Sequence, residues 1–181
     1  GFKYFEELKN KKDIKVIVID PIRSETAQYF DKAQWIAPVP NTDTAMMLGM
    51  MHYLYESGKY DKEFIENYTY GFDKFLPYLL GKTDNTPKNL EWASKICGID
   101  KDTLKELADT FVSNRTMLMS GWGMQRAHHG EQPHWAMVTL AAMIGQIGLP
   151  GGGFGLSYHY SNGGTPTCKG AVIGGVNSAS V

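Results

Sequence analysis

Three short stretches carry the side chains best suited to grip a polar ligand: Asp20-Pro21, Asn41-Thr42-Asp43 and Gly121-Trp122-Gly123-Met124-Gln125-Arg126. A carboxylate closing a strand is placed to accept both hydroxyls of a ribose. One near a helix start can accept the two N–H donors on the Watson–Crick edge of guanine. The second arrangement selects guanine over adenine. Arg126 is the only cation of the third stretch, and its fork suits a phosphate or a ligand oxyanion. Each stretch also has a plain structural alternative. Asp20 with Pro21 can open a turn, Thr42 or Asp43 can cap a helix, and Trp122 can belong to a core.

Two further clusters carry less chemistry. His128, His129 and His134 lack the HExxH spacing and any nearby cysteine, so no metal ligand is assigned and they read as solvated or capping residues. The run Leu149-Pro150-Gly151-Gly152-Gly153-Phe154-Gly155 fits neither GxxxxGK[ST] nor GxGxxG. It reads as a backbone-exposing loop that either approaches a bulky ligand or stops a helix.

These stretches need elements to hold them. Residues 15–21 form a continuous β-branched run closed by Asp-Pro, the pattern of a parallel strand covered on both faces. A short helix is expected over 24–30, and an extended segment over 34–40, where Pro38 and Pro40 forbid helix. The next helix, from Ala45 to Leu54, is apolar nearly all round and so should be buried. Two small helices fit 61–80, with a turn-rich loop over 81–87. Helices are expected at 89–96 and 100–112, a strand at 116–121, and a helix of about five turns at 131–147. The methionines are placed on core faces. This alternation predicts an α/β fold of three layers, an open parallel sheet with helices on both faces, Rossmann-like and incomplete at both ends. Ligands of such sheets bind outside the carboxyl ends of the strands, where the three stretches fall.

At 181 residues, 43% of them hydrophobic and 20% charged, the chain supports one domain with a sizeable core. The division expected is a nucleotide-binding α/β domain over 1–155 and a Gly/Ser-rich extension over 156–181. A formal net charge of −1 gives no general electrostatic basis for binding nucleic acid or an anionic membrane surface. No apolar run is long enough to span a bilayer, and the first residues do not have the pattern of a signal peptide. Cys97 and Cys168 belong to no metal or redox motif and read as free thiols.

Longer phrases say more. Val18-Ile19-Asp20-Pro21, Ile36-Ala37-Pro38, Asn41 through Met50, Gly121 through Gln132, and Gly145 through Gly155 together resemble the dimethyl sulfoxide and trimethylamine N-oxide reductase family, which includes biotin sulfoxide reductase. The resemblance covers nearly the whole chain. It implies a molybdopterin oxidoreductase with a bis(molybdopterin guanine dinucleotide) molybdenum cofactor, in which reduced metal takes an oxygen atom from an S-oxide or N-oxide and is re-reduced by two electrons. By the same resemblance, Asp20 and Pro21 sit at a guanosine, and Asn41, Thr42 and Asp43 line its guanine and phosphate region. Trp122, Gly123, Gln125 and Arg126 approach the pterin and the floor of a substrate funnel, with Gln125 and Arg126 as the catalytic candidates.

The resemblance further implies that the serine ligand of the metal and a second nucleotide-binding domain lie outside this chain, which alone should be inactive. It implies an electron donor such as a c-type cytochrome or a reductase. The place expected is the periplasm, in anaerobic respiration, or the cytoplasm for the biotin sulfoxide reductase type. A free-standing, non-catalytic nucleotide-binding or scaffold module with the same fold stands as the alternative.

Overall fold

The computed structural model describes residues 2–156, and its N-terminal part holds a small βαβ unit. Helix α1 (Phe2–Asn10) leads to strand β1 (Ile17–Ile19), helix α2 (Glu25–Tyr29) and strand β2 (Gln34–Ile36). The strands pair in parallel, with Ile17 opposite Gln34, Val18 opposite Trp35 and Ile19 opposite Ile36. Phe5 of α1 stacks on Phe30 at 5.6 Å between ring centroids, which holds the first helix against the end of the second. Pro38 and Pro40, which lack an N–H, end β2 soon after Ile36.

The core lies beyond this unit. Helix α3 (Asp43–Glu56) is buried without a break from Ala45 to Met51 and again at Leu54, as a helix apolar on every side must be. Four helices follow: α4 (Lys62–Tyr68), α5 (Phe72–Leu79), α6 (Leu90–Cys97) and α7 (Lys101–Ser113). Three of them start on side-chain caps. Asp61 accepts from the Phe64 amide at 2.8 Å, Asn89 from Trp92 at 2.9 Å and Asp100 from Asp102 at 2.8 Å. α3 packs on α6 and α7, and Met50, Met51, Leu54, Leu104 and Leu107 meet there almost wholly sealed from solvent. Burial of each contributes ~1.5–3 kcal/mol.

Strand β3 (Met117–Ser120) then runs into a single 3-10 turn over Trp122–Gln125, followed by helix α8 (Glu131–Ile144) and strand β4 (Gly153–Leu156). β3 and β4 pair in parallel, from Met117 opposite Gly153 to Ser120 opposite Leu156. α8 closes the core over α3 through Leu140 and Met143.

The α/β reading holds, and both pairings are parallel as expected. Among the described residues, however, the strands form two separate two-stranded sheets rather than one open sheet. In chain order α3 to α7 stand between β2 and β3. Ile19 and Ile36 of the first sheet, and Leu118 and Phe154 of the second, belong to or pack against the same hydrophobic core.

Three local expectations also change. The glycine-rich run after α8 is not only a loop: it contains β4, which glycine's low strand propensity conceals. α8 ends at Ile144 because Gly145 turns to φ +76°. Met117 and Met119, 37% and 68% exposed on one face of β3, are not core. Of the expected extension over 156–181, Leu156 ends β4 and residues 157–181, Cys168 among them, lie outside the described residues; Cys97 is a buried free thiol.

Candidate functional site

Asp20 is fixed from three directions. Its amide donates to the Ile36 carbonyl at 3.0 Å, which extends the β1–β2 ladder by one bond. Its own carbonyl accepts from the Trp35 indole N–H at 2.9 Å. Its carboxylate Oδ1 accepts from the Ile22 amide at 3.0 Å, an Asx turn that carries Pro21 through the corner. The turn expected as the plain alternative is therefore present. It uses one carboxylate oxygen and leaves the other available, so the turn and a ligand role are compatible. Trp35, 42% exposed, was not singled out in the sequence, although it is the residue that pins this backbone.

The second stretch leaves the same strand pair. Because β1 and β2 are parallel, the segments after Ile19 and after Ile36 depart from one edge. Asn41 stands at φ +64°, a left-handed conformation that asparagine tolerates better than most residues. Thr42 occupies the N-cap position of α3 but makes no side-chain cap; its hydroxyl instead donates to the Val39 carbonyl at 2.6 Å. Asp43 is in the first turn of α3 and half-buried, and its carboxylate accepts no hydrogen bond among the described residues. A carboxylate there is favoured by the helix dipole and has all its acceptor capacity free.

The third stretch sits at the carboxyl end of the other strand pair. Trp122 is 41% exposed, and the Arg126 guanidinium carbon stands 5.7 Å from its ring centroid. The pair presents a flat cation on a flat ring at the surface, with Gln125 exposed beside it. The turn is locked from below. A Cβ added to Gly130, the N-cap of α8, would stand 2.0 Å from the Gln125 carbonyl oxygen, so helix and turn are in direct backbone contact. The three histidines divide. The rings of His128 and His129 lie 3.9 Å apart at the surface, whereas His134 on α8 has both ring nitrogens buried without a hydrogen-bond partner among the described residues.

No group of three or more His, Cys, Asp or Glu able to hold a metal is found among the described residues. None of their helices is long and apolar enough to cross a membrane. An apolar cleft of about 880 Å³ lies elsewhere, between α4, α5 and the end of α8, lined by Phe64, Tyr68, Phe72, Val138 and Leu149 among others. None of the three ligand-gripping stretches lines it. This cleft therefore does not mark the site, and the available polar groups of the three stretches are the guide.

The family model described as molybdopterin oxidoreductase matches residues 3–178. The chain belongs to the molybdopterin oxidoreductase family. It is 61% identical to the dimethyl sulfoxide/trimethylamine N-oxide reductase of Rhodobacter capsulatus over 170 residues, 94% of this chain and 20% of that protein. It is 56% identical to the trimethylamine-N-oxide reductase of Haemophilus influenzae over 179 residues, 99% of this chain and 22% of that protein. The chain thus spans about a fifth of the length of these curated relatives. Among solved structures it resembles the acetylene hydratase of Pelobacter acetylenicus, with a TM-score of 0.66 and 27% identity over 81% of this chain and 19% of that one.

Membership in the molybdopterin oxidoreductases implies a molybdenum–pterin cofactor. The polar groups present fit the organic part of that cofactor. Among the described residues Asp43 offers a carboxylate without a hydrogen-bond partner, Arg126 a cation, and Ser120 and His134 buried atoms that lack partners. These are oxygen and nitrogen groups suited to hydroxyls, ring N–H groups and phosphates.

Proposed function

We propose that this chain is the central cofactor-binding segment of a molybdenum S-oxide or N-oxide reductase, holding one molybdopterin guanine dinucleotide of a bis(molybdopterin guanine dinucleotide) cofactor. The observation that carries the reading is Asp43, a half-buried carboxylate with no hydrogen-bond partner among the described residues, in the first turn of the helix that follows the parallel strand pair closed by Asp20. In this reading Asp43 accepts the paired N–H donors of guanine, and the spare oxygen of Asp20 accepts from ribose. Asn41 and Thr42 shape the loop between them. Pro21 stiffens the corner.

Trp122 and Gly123 then form a surface for the pterin, and Arg126 and Gln125 face the oxide. When bound, the cofactor supplies the two-electron chemistry that removes oxygen from the substrate. The residues here bind, orient and stabilise charge. Arg126 supplies a fixed positive charge to the oxide oxygen, whose charge grows as its bond to sulfur or nitrogen breaks. The 61% identity to a dimethyl sulfoxide/trimethylamine N-oxide reductase supports S-oxides and N-oxides as the substrate class. A small redox protein, such as a c-type cytochrome, would return the electrons, and the periplasm is the compartment proposed.

The test is analysis of the full-length protein for molybdenum, pterin and guanosine monophosphate released on mild hydrolysis, alongside oxidation of a reduced viologen by dimethyl sulfoxide and trimethylamine N-oxide. Two guanosine monophosphates per molybdenum and oxide-dependent turnover are expected. Cytidine nucleotide in place of guanosine, or no response to either oxide, would overturn the reading.

A further inference from the structure

Helices α3 and α8 read alike in sequence. Each is apolar on nearly every side, and a helix of that kind belongs in an interior. α3 meets the expectation, with every residue from Ala45 to Met51 buried. α8 meets it on one side only. Thr139 is the single polar residue from Trp135 to Ile144, and Leu140 and Met143 are sealed in the core that α8 shares with α3. Trp135 and Val138, one helical turn apart on the other side, remain 67% and 38% exposed.

That open side continues into the cleft of about 880 Å³. Val138 and Ala142 line it from α8, and Phe64, Tyr68 and Phe72 line it from α4 and α5. No charged side chain is among its lining residues. Tyr70 also lines it and is 93% exposed, so the walls do not close over a small molecule, whereas ligand pockets bury most of their ligand. A contiguous apolar surface of this kind, on a helix with the composition of an interior one, marks a protein interface.

The length of polypeptide available says what covers it. The 170 residues matched in the Rhodobacter capsulatus reductase are 20% of that protein, so about four-fifths of such a polypeptide lies outside this segment. We infer that the open face of α4, α5 and α8 is an internal interface of the full-length protein, occupied by the apolar face of a helix from the same polypeptide outside residues 1–181. A helix suits the cleft better than a strand. Helices and residues 147–149 border it, with no strand edge to pair with, and only a helix satisfies its own peptide groups.

The inference rests on family membership and on the length of the relatives, not on the cofactor reading, so failure of either leaves the other standing. Full-length protein carrying Tyr70→p-benzoylphenylalanine is irradiated, separated by size, digested and sequenced by mass spectrometry. The expected product is a monomer in which position 70 is joined to a peptide of the same polypeptide outside residues 1–181. A cross-link between two molecules, one confined to residues 1–181, or none at all would overturn the proposal. Val138→Asp in the full-length protein gives a second reading. Valine and aspartate have similar helix propensities, so the change should move the thermal midpoint by no more than about a degree if the face meets water. Beneath a covering helix it buries an unpaired carboxylate, and a drop of several degrees is expected. A parental midpoint would count against the interface.

Discussion

The Asp61 carboxylate occupies the space that a side chain at Gly145 would need: a Cβ built on Gly145 lies 2.2 Å from Asp61 Oδ2. The two residues join the end of α8 to the start of α4. The Asp61 amide donates to the Met143 carbonyl at 2.7 Å while its side chain caps α4, and Gly145 ends α8 at φ +76°. Gly145→Ala meets both a left-handed backbone and a carboxylate that cannot retreat without losing its cap. We expect a loss of about 2–4 kcal/mol, read as a lower denaturation midpoint in urea. Asp61→Gly should remove the clash, whereas an alanine there would keep a Cβ 2.4 Å from the new one, so the Gly145→Ala/Asp61→Gly double variant should lose less than the sum of the single losses.

Lys88 is only 2% exposed, yet it is charged and well accompanied. Its ammonium donates to Asp84 at 2.6 Å and to the Thr86 carbonyl, and it sits over the rings of Tyr78 and Trp92 at 4.4 and 5.6 Å. The turn after α5 is thereby tied to α6. Removing one partner of a buried pair costs more when the charge left behind is the buried one. Asp84, 41% exposed at its side chain, can be solvated alone, whereas Lys88 cannot. We therefore expect Asp84→Ala to lower the thermal midpoint more than Lys88→Met, which keeps the apolar stem over the rings. The reverse order in calorimetry would show that the rings, not the carboxylate, hold the lysine.

Much of the helical frame was legible because its signals are local. Asp61, Asn89 and Asp100 carry cap chemistry in their residue type, and an uninterrupted apolar α3 can only be buried. What escaped depended on distance. β4 exists because β3 lies beside it, and its glycines give no sign of that pairing. The separation of the strands into two sheets among the described residues is a matter of long-range pairing that no single segment displays. At the site, Asp20 and Asp43 were visible as carboxylates at element ends. Trp35 was not, because its indole matters only once β1 is paired with β2. His134 reads in the sequence as one more histidine in a polar run; only burial without a partner distinguishes it from His128 and His129.

Asp109 on α7 gives the fold a defined acid response. Burial pushes its carboxyl upward, but hydrogen bonds from Lys59, Lys105 and the Tyr53 hydroxyl more than offset this and hold it at about 2. Lys59 stands at 2.5 Å, Lys105 at 2.9 Å and the Tyr53 oxygen at 2.9 Å. A depressed carboxylate contributes stability that is complete above its unfolded value, near 4, and is lost as pH falls toward 2. The shift corresponds to roughly 2 kcal/mol. At a side chain still 28% exposed, screening should reduce it to on the order of 1 kcal/mol. Asp109→Asn should lower stability at pH 6 by this amount and flatten the dependence between pH 4 and 2. Parallel pH profiles for variant and parent would remove Asp109 from that role.

Arg126 rests on the Trp122 ring at 5.7 Å, at the carboxyl end of β3, with its guanidinium edges open to solvent. Stacking on the ring limits the directions the cation can take without using up its N–H donors. If those donors meet the oxide oxygen, their contribution grows as the bond breaks and charge gathers there, so their loss should appear in turnover rather than in cofactor retention. Arg126→Ala in the full-length protein should lower kcat on the order of 10²-fold, with molybdenum content changed much less. Arg126→Lys keeps the charge but loses the planar fork and should fall between the two. Trp122→Leu removes the support while sparing the arginine, so it should raise KM and lower kcat together by disordering the cation. Steady-state kinetics over a series of S-oxides and N-oxides, each normalised to bound molybdenum, measures all three, and an Arg126→Ala protein with parental kcat would exclude this arginine from the reacting centre.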